Sequence, residues 1–208
     1  TGEMSKKWGA LPRYNFDADN FNMWQYLDIH SNWTNGFWRV PGAFNDVAHK
    51  NGVKTGCTYF IDWGTGVNQM DEPGKTLYEL ATPGTNSYGD QYKYSRKLIQ
   101  FLKYYGIDGL CFNPEGYWGY TVYSRFIPFL AECHKIAKEL NHPFHVDWYA
   151  FVTNNGQLSD NGCRLTTNNN NWFHHAATDQ PVTDVYFLNY NWTESGLKES
   201  VNTARSHG

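Results

Sequence analysis

The chain has 208 residues, a formal net charge of -3 and an aromatic content of 18% that includes nine Trp and fifteen Tyr. That length is the scale of one domain with a sizeable core. With a pI near 6.2 and no Lys/Arg-rich segment, nucleic acid and anionic membrane surfaces are poor partners. No apolar run approaches the roughly 18–20 residues that a membrane span needs.

Trp and Tyr placed near strand ends and in Gly/Asn-rich loops suit stacking on flat apolar ligand faces, of which sugar rings are one kind. A large barrel also packs many aromatics for its own core, and composition leaves both readings open. Cys57, Cys111, Cys133 and Cys163 are widely spaced with no C-x-x-C pair. They read as free thiols, with Cys57 and Cys111 buried in strands. No export signal is visible, and the compartment, cytoplasmic or exported, stays open.

In chain order, residues 1–22 read as an irregular leading loop. The alternation of W-Q-Y-L-D-I over 24–29 predicts a first strand with Tyr26, Asp28 and His30 on one face. Residues 41–51 read as a helix, with Pro41 near its start and Asn51-Gly52 as its stop. The β-branched and aromatic run 53–61 is a second strand, and it leads into Asp62 and Trp63. A carboxylate and an indole there fit a ligand rim, although a turn residue and a covering aromatic would look the same.

Residues 65–90 form a long loop, and loops of that length in a compact domain are more often functional than filler. Residues 92–105 carry a helical stripe (Leu98, Ile99, Leu102, Tyr105) stopped by Gly106. The apolar run I-D-G-L-C-F then ends in Asn113-Pro114-Glu115. A helix follows over 124–140. The strand 143–149 places His145, Asp147 and Tyr149 opposite Phe144, Val146 and Trp148. A fifth strand, 184–190, contains Asn189 and is followed by Trp192, and a last helix begins near Ser195.

Strands alternating with helices at roughly 30–50 residues per unit predict parallel strands with crossover helices. No Gly-rich phosphate loop follows the first strand, which weighs against an open doubly wound sheet. The long aromatic-bearing loops after the strands favour an α/β (β/α)8 TIM barrel. About five βα units are visible where eight close a barrel, so residues 1–208 are expected to be one incomplete catalytic domain.

Asn113 and Glu115 sit at i and i+2 and therefore share a strand face, at the strand end where such barrels keep their chemistry. Glycosidases commonly use two carboxylates. In the substrate-assisted exceptions, the 2-acetamido oxygen of the sugar attacks the anomeric carbon instead. That chemistry needs one proton donor and one polar group to hold the acetamide, which an Asn-x-Glu pair supplies. Taken alone, N-x-E is also what a turn with two solvated polar residues looks like. The Asp/Trp, Tyr and Asn/Trp endings of three other strands favour a shared rim.

The segments F-W-R-V-P-G-A-F-N-D-V-A-H-K-N-G-V-K-T-G-C-T-Y-F-I-D-W, Y-Y-G-I-D-G-L-C-F-N-P-E-G and D-V-Y-F-L-N-Y-N-W resemble glycoside hydrolase family 85, endo-β-N-acetylglucosaminidases that cut between the two core GlcNAc residues of N-linked glycans. The resemblance implies a TIM-barrel catalytic domain, net retention through an oxazolinium intermediate, an N-linked glycan or glycoprotein as partner, and neither metal nor cofactor. Asn113 and Glu115 fall on the catalytic Asn and Glu. Tyr149 falls on a tyrosine that assists at the oxazoline, and Trp192 on an aromatic that walls the sugar site. Asp62, Trp63 and Asn189 complete the expected substrate-binding set.

The chain departs from the family pattern at Ala150 and Phe151, and at Asp160-Asn161-Gly162, where one aromatic wall is missing. The alternatives are a family 18-like chitinase or endoglycosidase and a catalytically silent glycan-binding barrel. Counting back from Glu115, the family 18 motif D-x-x-D-x-D-x-E meets Asn113, Cys111 and Asp108, so its middle carboxylates are absent.

Overall fold

The computed structural model describes residues 21–33, 40–61, 72–175 and 177–206. In chain order the elements are β1 (Ile29–Trp33), α1 (Gly42–Lys50), β2 (Lys54–Ile61), α2 (Glu72–Leu80), α3 (Ser95–Tyr105), β3 (Gly109–Pro114), α4 (Tyr120–Glu139), β4 (His145–Tyr149), a small hairpin of β5 (His174–His175) and β6 (Gln180–Pro181), β7 (Val185–Phe187) and α5 (Glu194–Arg205). The main sheet runs β1-β2-β3-β4-β7, and every neighbouring pair is parallel. Parallel neighbours joined by crossover helices are the sheet the alternating pattern predicts, and the architecture is five units of a (β/α)8 barrel.

Alternation along each strand separates two faces. Cys57, Tyr59 and Ile61 of β2, Leu110 and Phe112 of β3, and Val146 and Trp148 of β4 join one apolar core with Leu98, Ile99 and Leu102 of α3 and Phe126, Phe129, Leu130 and Ile136 of α4. The opposite face carries Gly56, Thr58 and Phe60, then Gly109, Cys111 and Asn113, then His145, Asp147 and Tyr149. This is the lumen face, and its lower end is tightly filled. A methyl group on Gly109 would lie 2.5 Å from atoms of the His145 ring, and one on Gly56 would lie 3.2 Å from His145 Nε2. The small residues there make room for an imidazole.

Local signals explain the helix ends. Gly106 closes α3 in the left-handed region at φ 66°, and its backbone carbonyl accepts from Asn45 Nδ2 at 2.8 Å. Thr193 caps α5 by accepting from the Gly196 backbone N–H. Pro128 lies inside α4, where proline costs about 3 kcal/mol. Full burial of Phe126, Phe129 and Leu130 around it offsets that cost, because helices in proteins are held mainly by their packed face.

Two readings of the sequence are corrected. Residues 24–26 form a short 3-10 turn, and β1 starts at Ile29. The lumen-facing residue of β1 is Ser31, which bonds Asp147, whereas His30 packs on Phe44 of α1 with ring centroids 4.6 Å apart. The loop 65–90 contains α2, which its weak local periodicity hid.

The connection after β4 is pinned by an indole stack. Trp148 and Trp172 lie 4.1 Å apart with planes 7° from parallel, both almost wholly buried, and Trp172 Nε1 donates to the Thr153 carbonyl at 3.2 Å. Trp172→Ala is expected to lower unfolding stability by about 3–5 kcal/mol, read as a fall in the urea midpoint. An unchanged midpoint would mean that the loop is held elsewhere.

Candidate active site

The site grows from the C-terminal end of β3. Asn113 is in register with Phe60 and Pro114 with Ile61, and the Glu115 backbone N–H donates to the Ile61 carbonyl at 3.0 Å. The ladder thus holds the chain one residue past the strand, and Glu115 is positioned by backbone bonds instead of lying in a free turn. Asn113 Nδ2 donates to Glu115 Oε1 at 3.1 Å. With its amide nitrogen committed to the carboxylate, Asn113 presents Oδ1 as an acceptor. Both side chains are half-buried.

β4 supplies the third group. Cys111 pairs with Asp147 and Phe112 with Trp148, which places Tyr149 at the level of Asn113. Tyr149 is 7% exposed. Burial first, then the nearby Glu115 carboxylate and Tyr190, push its phenol up to about 12. It therefore stays a protonated hydrogen-bond donor across the working pH range. Its ring is framed by Phe151, stacked at 5.5 Å, and by Phe187 of β7 at 5.7 Å. On the other flank Trp33 of β1 meets Phe60 of β2 at 5.9 Å.

The fold brings Asn113, Glu115 and Tyr149 together. Asn189 lies half-buried just past β7. Trp192 stands 54% exposed on the same connection, open to a flat ligand face. Asp62 and Trp63 lie outside the described residues, although β2 runs up to them. Phe187 and Tyr190 were not singled out in the sequence. Counting in twos from Asn189 would have found Phe187, and the link between Tyr190 and Tyr149 required the fold. Among the described residues, no group of three or more His, Cys, Asp or Glu is placed to hold a metal ion, and no helix is long and apolar enough to cross a membrane.

Residues 3–208 match the family model described as Glycosyl hydrolase family 85. The chain belongs to that family. The family 85 chain is 26% identical over 191 residues to the cytosolic endo-β-N-acetylglucosaminidase of Danio rerio, covering 90% of this chain and 24% of that protein. It is 25% identical over 182 residues to cytosolic endo-β-N-acetylglucosaminidase 1 of Arabidopsis thaliana, covering 87% and 24%. The glycoside hydrolase domain of Endo-D from Streptococcus pneumoniae R6 superposes with a TM-score of 0.72 at 26% identity, covering 90% of this chain and 28% of that one. The family 85 chain therefore spans about a quarter of the length of these relatives.

Proposed function

We propose that this family 85 chain carries the catalytic centre of an endo-β-N-acetylglucosaminidase that cleaves the GlcNAc-β1,4-GlcNAc core of N-linked glycans. The observation that carries this reading is the hydrogen-bonded Asn113–Glu115 pair at the end of β3, with the protonated Tyr149 phenol beside it. One proton donor and one amide fit a reaction in which the substrate supplies its own nucleophile. A two-carboxylate site would need a second acid where Asn113 stands.

In the first step Glu115 gives its proton to the glycosidic oxygen as the C1–O bond breaks. The 2-acetamido oxygen attacks C1 from the opposite face and closes an oxazolinium ring. Asn113 Oδ1 accepts from the acetamide N–H and draws electron density towards the attacking oxygen, while the Tyr149 O–H donates to that oxygen and orients it. In the second step the Glu115 carboxylate takes a proton from water. The resulting oxygen bonds to C1, the oxazolinium opens to the acetamide, and two inversions give net retention. Phe187, Tyr190 and Trp192 offer apolar faces for sugar rings at the rim. The Danio rerio and Arabidopsis thaliana relatives are named cytosolic, and we assign this protein the same address.

The direct test incubates the full-length protein with a high-mannose glycoprotein and analyses the released glycan. Glycans with one GlcNAc at the reducing end are expected. Measurable binding with no release from several glycan types after prolonged incubation would overturn the assignment in favour of a glycan-binding barrel.

A further inference from the structure

One level below Asn113 and Tyr149, the lumen holds ionisable groups that the mechanism above does not use. Asp147 precedes Tyr149 by two residues, a rise of about 6.6 Å along a parallel strand, and is in register with Cys111. Ser31 Oγ of β1 donates to Asp147 Oδ2 at 2.8 Å, a link between the first and fourth strands across the lumen. His145 Nε2 lies 3.7 Å from the same oxygen, with its ring resting on Gly109. Among the described residues, Asp147 Oδ1 and both ring nitrogens of His145 are buried without a hydrogen-bond partner. Unpaired buried polar atoms cost stability and call for an explanation. The Ser31 bond uses one carboxylate oxygen of Asp147, and the other is buried one level below Asn113 and Tyr149.

We propose that Asp147 is a positioning residue for the reaction: held by Ser31, its carboxylate sets a negative charge under the acetamido group as positive charge develops on the oxazolinium-like transition state. This rests on the endoglycosidase reading. A fixed charge in a water-poor site favours the charged transition state over the neutral substrate, so it acts on kcat more than on KM. Among the described residues, the titratable groups facing the Asp147–His145 pair are Lys54 at the start of β2, Asp108 just before β3, Cys111 on β3, His134 on α4 and Asp184 leading into β7. Burial raises the Asp147 carboxyl above its usual range, while the Ser31 bond opposes that rise. Burial also holds His145 below the usual imidazole range. Asp147 therefore gains its proton, and the site its acid-side loss of rate, as pH falls through the raised value. Asn113 does not titrate, and Glu115 must enter the first step protonated, so neither accounts for a first-step loss on the acid side.

The experiment measures kcat and KM against pH for the full-length protein, Asp147→Asn and Ser31→Ala, with folding followed by circular dichroism; the acid limb is read in kcat/KM, which reports the first step and not the second-step need for an ionised Glu115. Asp147→Asn should lower kcat by about 10- to 100-fold with KM little changed, and its profile should lack the acid limb. Ser31→Ala removes the bond that favours the ionised carboxyl, so its acid limb should move to higher pH. A folded Asp147→Asn variant with the kcat and acid limb of the unmutated protein would overturn the inference and leave the endoglycosidase reading standing. Should that variant not fold, an unmoved acid limb in Ser31→Ala would overturn it equally. No glycan release by the unmutated protein would remove the endoglycosidase reading and this inference with it.

Discussion

Glu115→Gln is expected to slow glycan release by about 10²- to 10⁴-fold, the contribution of a positioned acid-base group. Gln keeps the size of the side chain, and its amide oxygen can still accept the bond that Asn113 Nδ2 now makes at 3.1 Å. Folding should be retained while the proton is lost. On the proposed mechanism the loss falls on both steps, because the same carboxyl protonates the leaving oxygen and later deprotonates water. An aryl glycoside with an acidic leaving group needs less protonation, so its first step should suffer much less. Chromatographic release rates on both substrates check this. A variant within about threefold of the unmutated rate would remove Glu115 from the acid role.

Asn113→Ala is expected to abolish measurable hydrolysis, a fall of about 10²-fold or more for a preorganised group facing developing charge, yet to retain transfer from a preformed sugar oxazoline. On the proposed mechanism the amide holds and polarises the acetamide while the ring closes. An oxazoline donor arrives with the ring already closed, so only Glu115 and the acceptor site are required. Hydrolysis of a glycoprotein and transfer from the oxazoline to a GlcNAc acceptor, assayed side by side, separate the steps. Equal loss of both would contradict the role given to Asn113 and point to a collapsed Glu115 geometry instead.

Much of the barrel could be read from local pattern. The helical stripe before Gly106 became α3 (Ser95–Tyr105), and the β-branched run became β2 (Lys54–Ile61). The alternation that set His145, Asp147 and Tyr149 against Val146 and Trp148 matches the division between lumen and core. Where the pattern was ambiguous the reading failed. W-Q-Y-L-D-I alternates well enough for a strand, but Trp24–Tyr26 turns as a 3-10 helix, and pairing with β2 begins only at Ile29↔Lys54.

The sequence by itself determined that Asn113 and Glu115 share one strand face, because a two-residue period is a property of the extended backbone. It also determined the αβ alternation, because apolar periodicity and helix stops are local. Only the tertiary structure decided which groups meet across strands. Tyr149 stands beside Asn113 through the β3–β4 register, and Ser31 reaches Asp147 across 116 residues of chain. The Asp147 oxygen that has no partner among the described residues depends on the same closure. Such contacts are fixed by register and by the curvature that folds a sheet around a lumen, and neither is written in the spacing of residues along one strand.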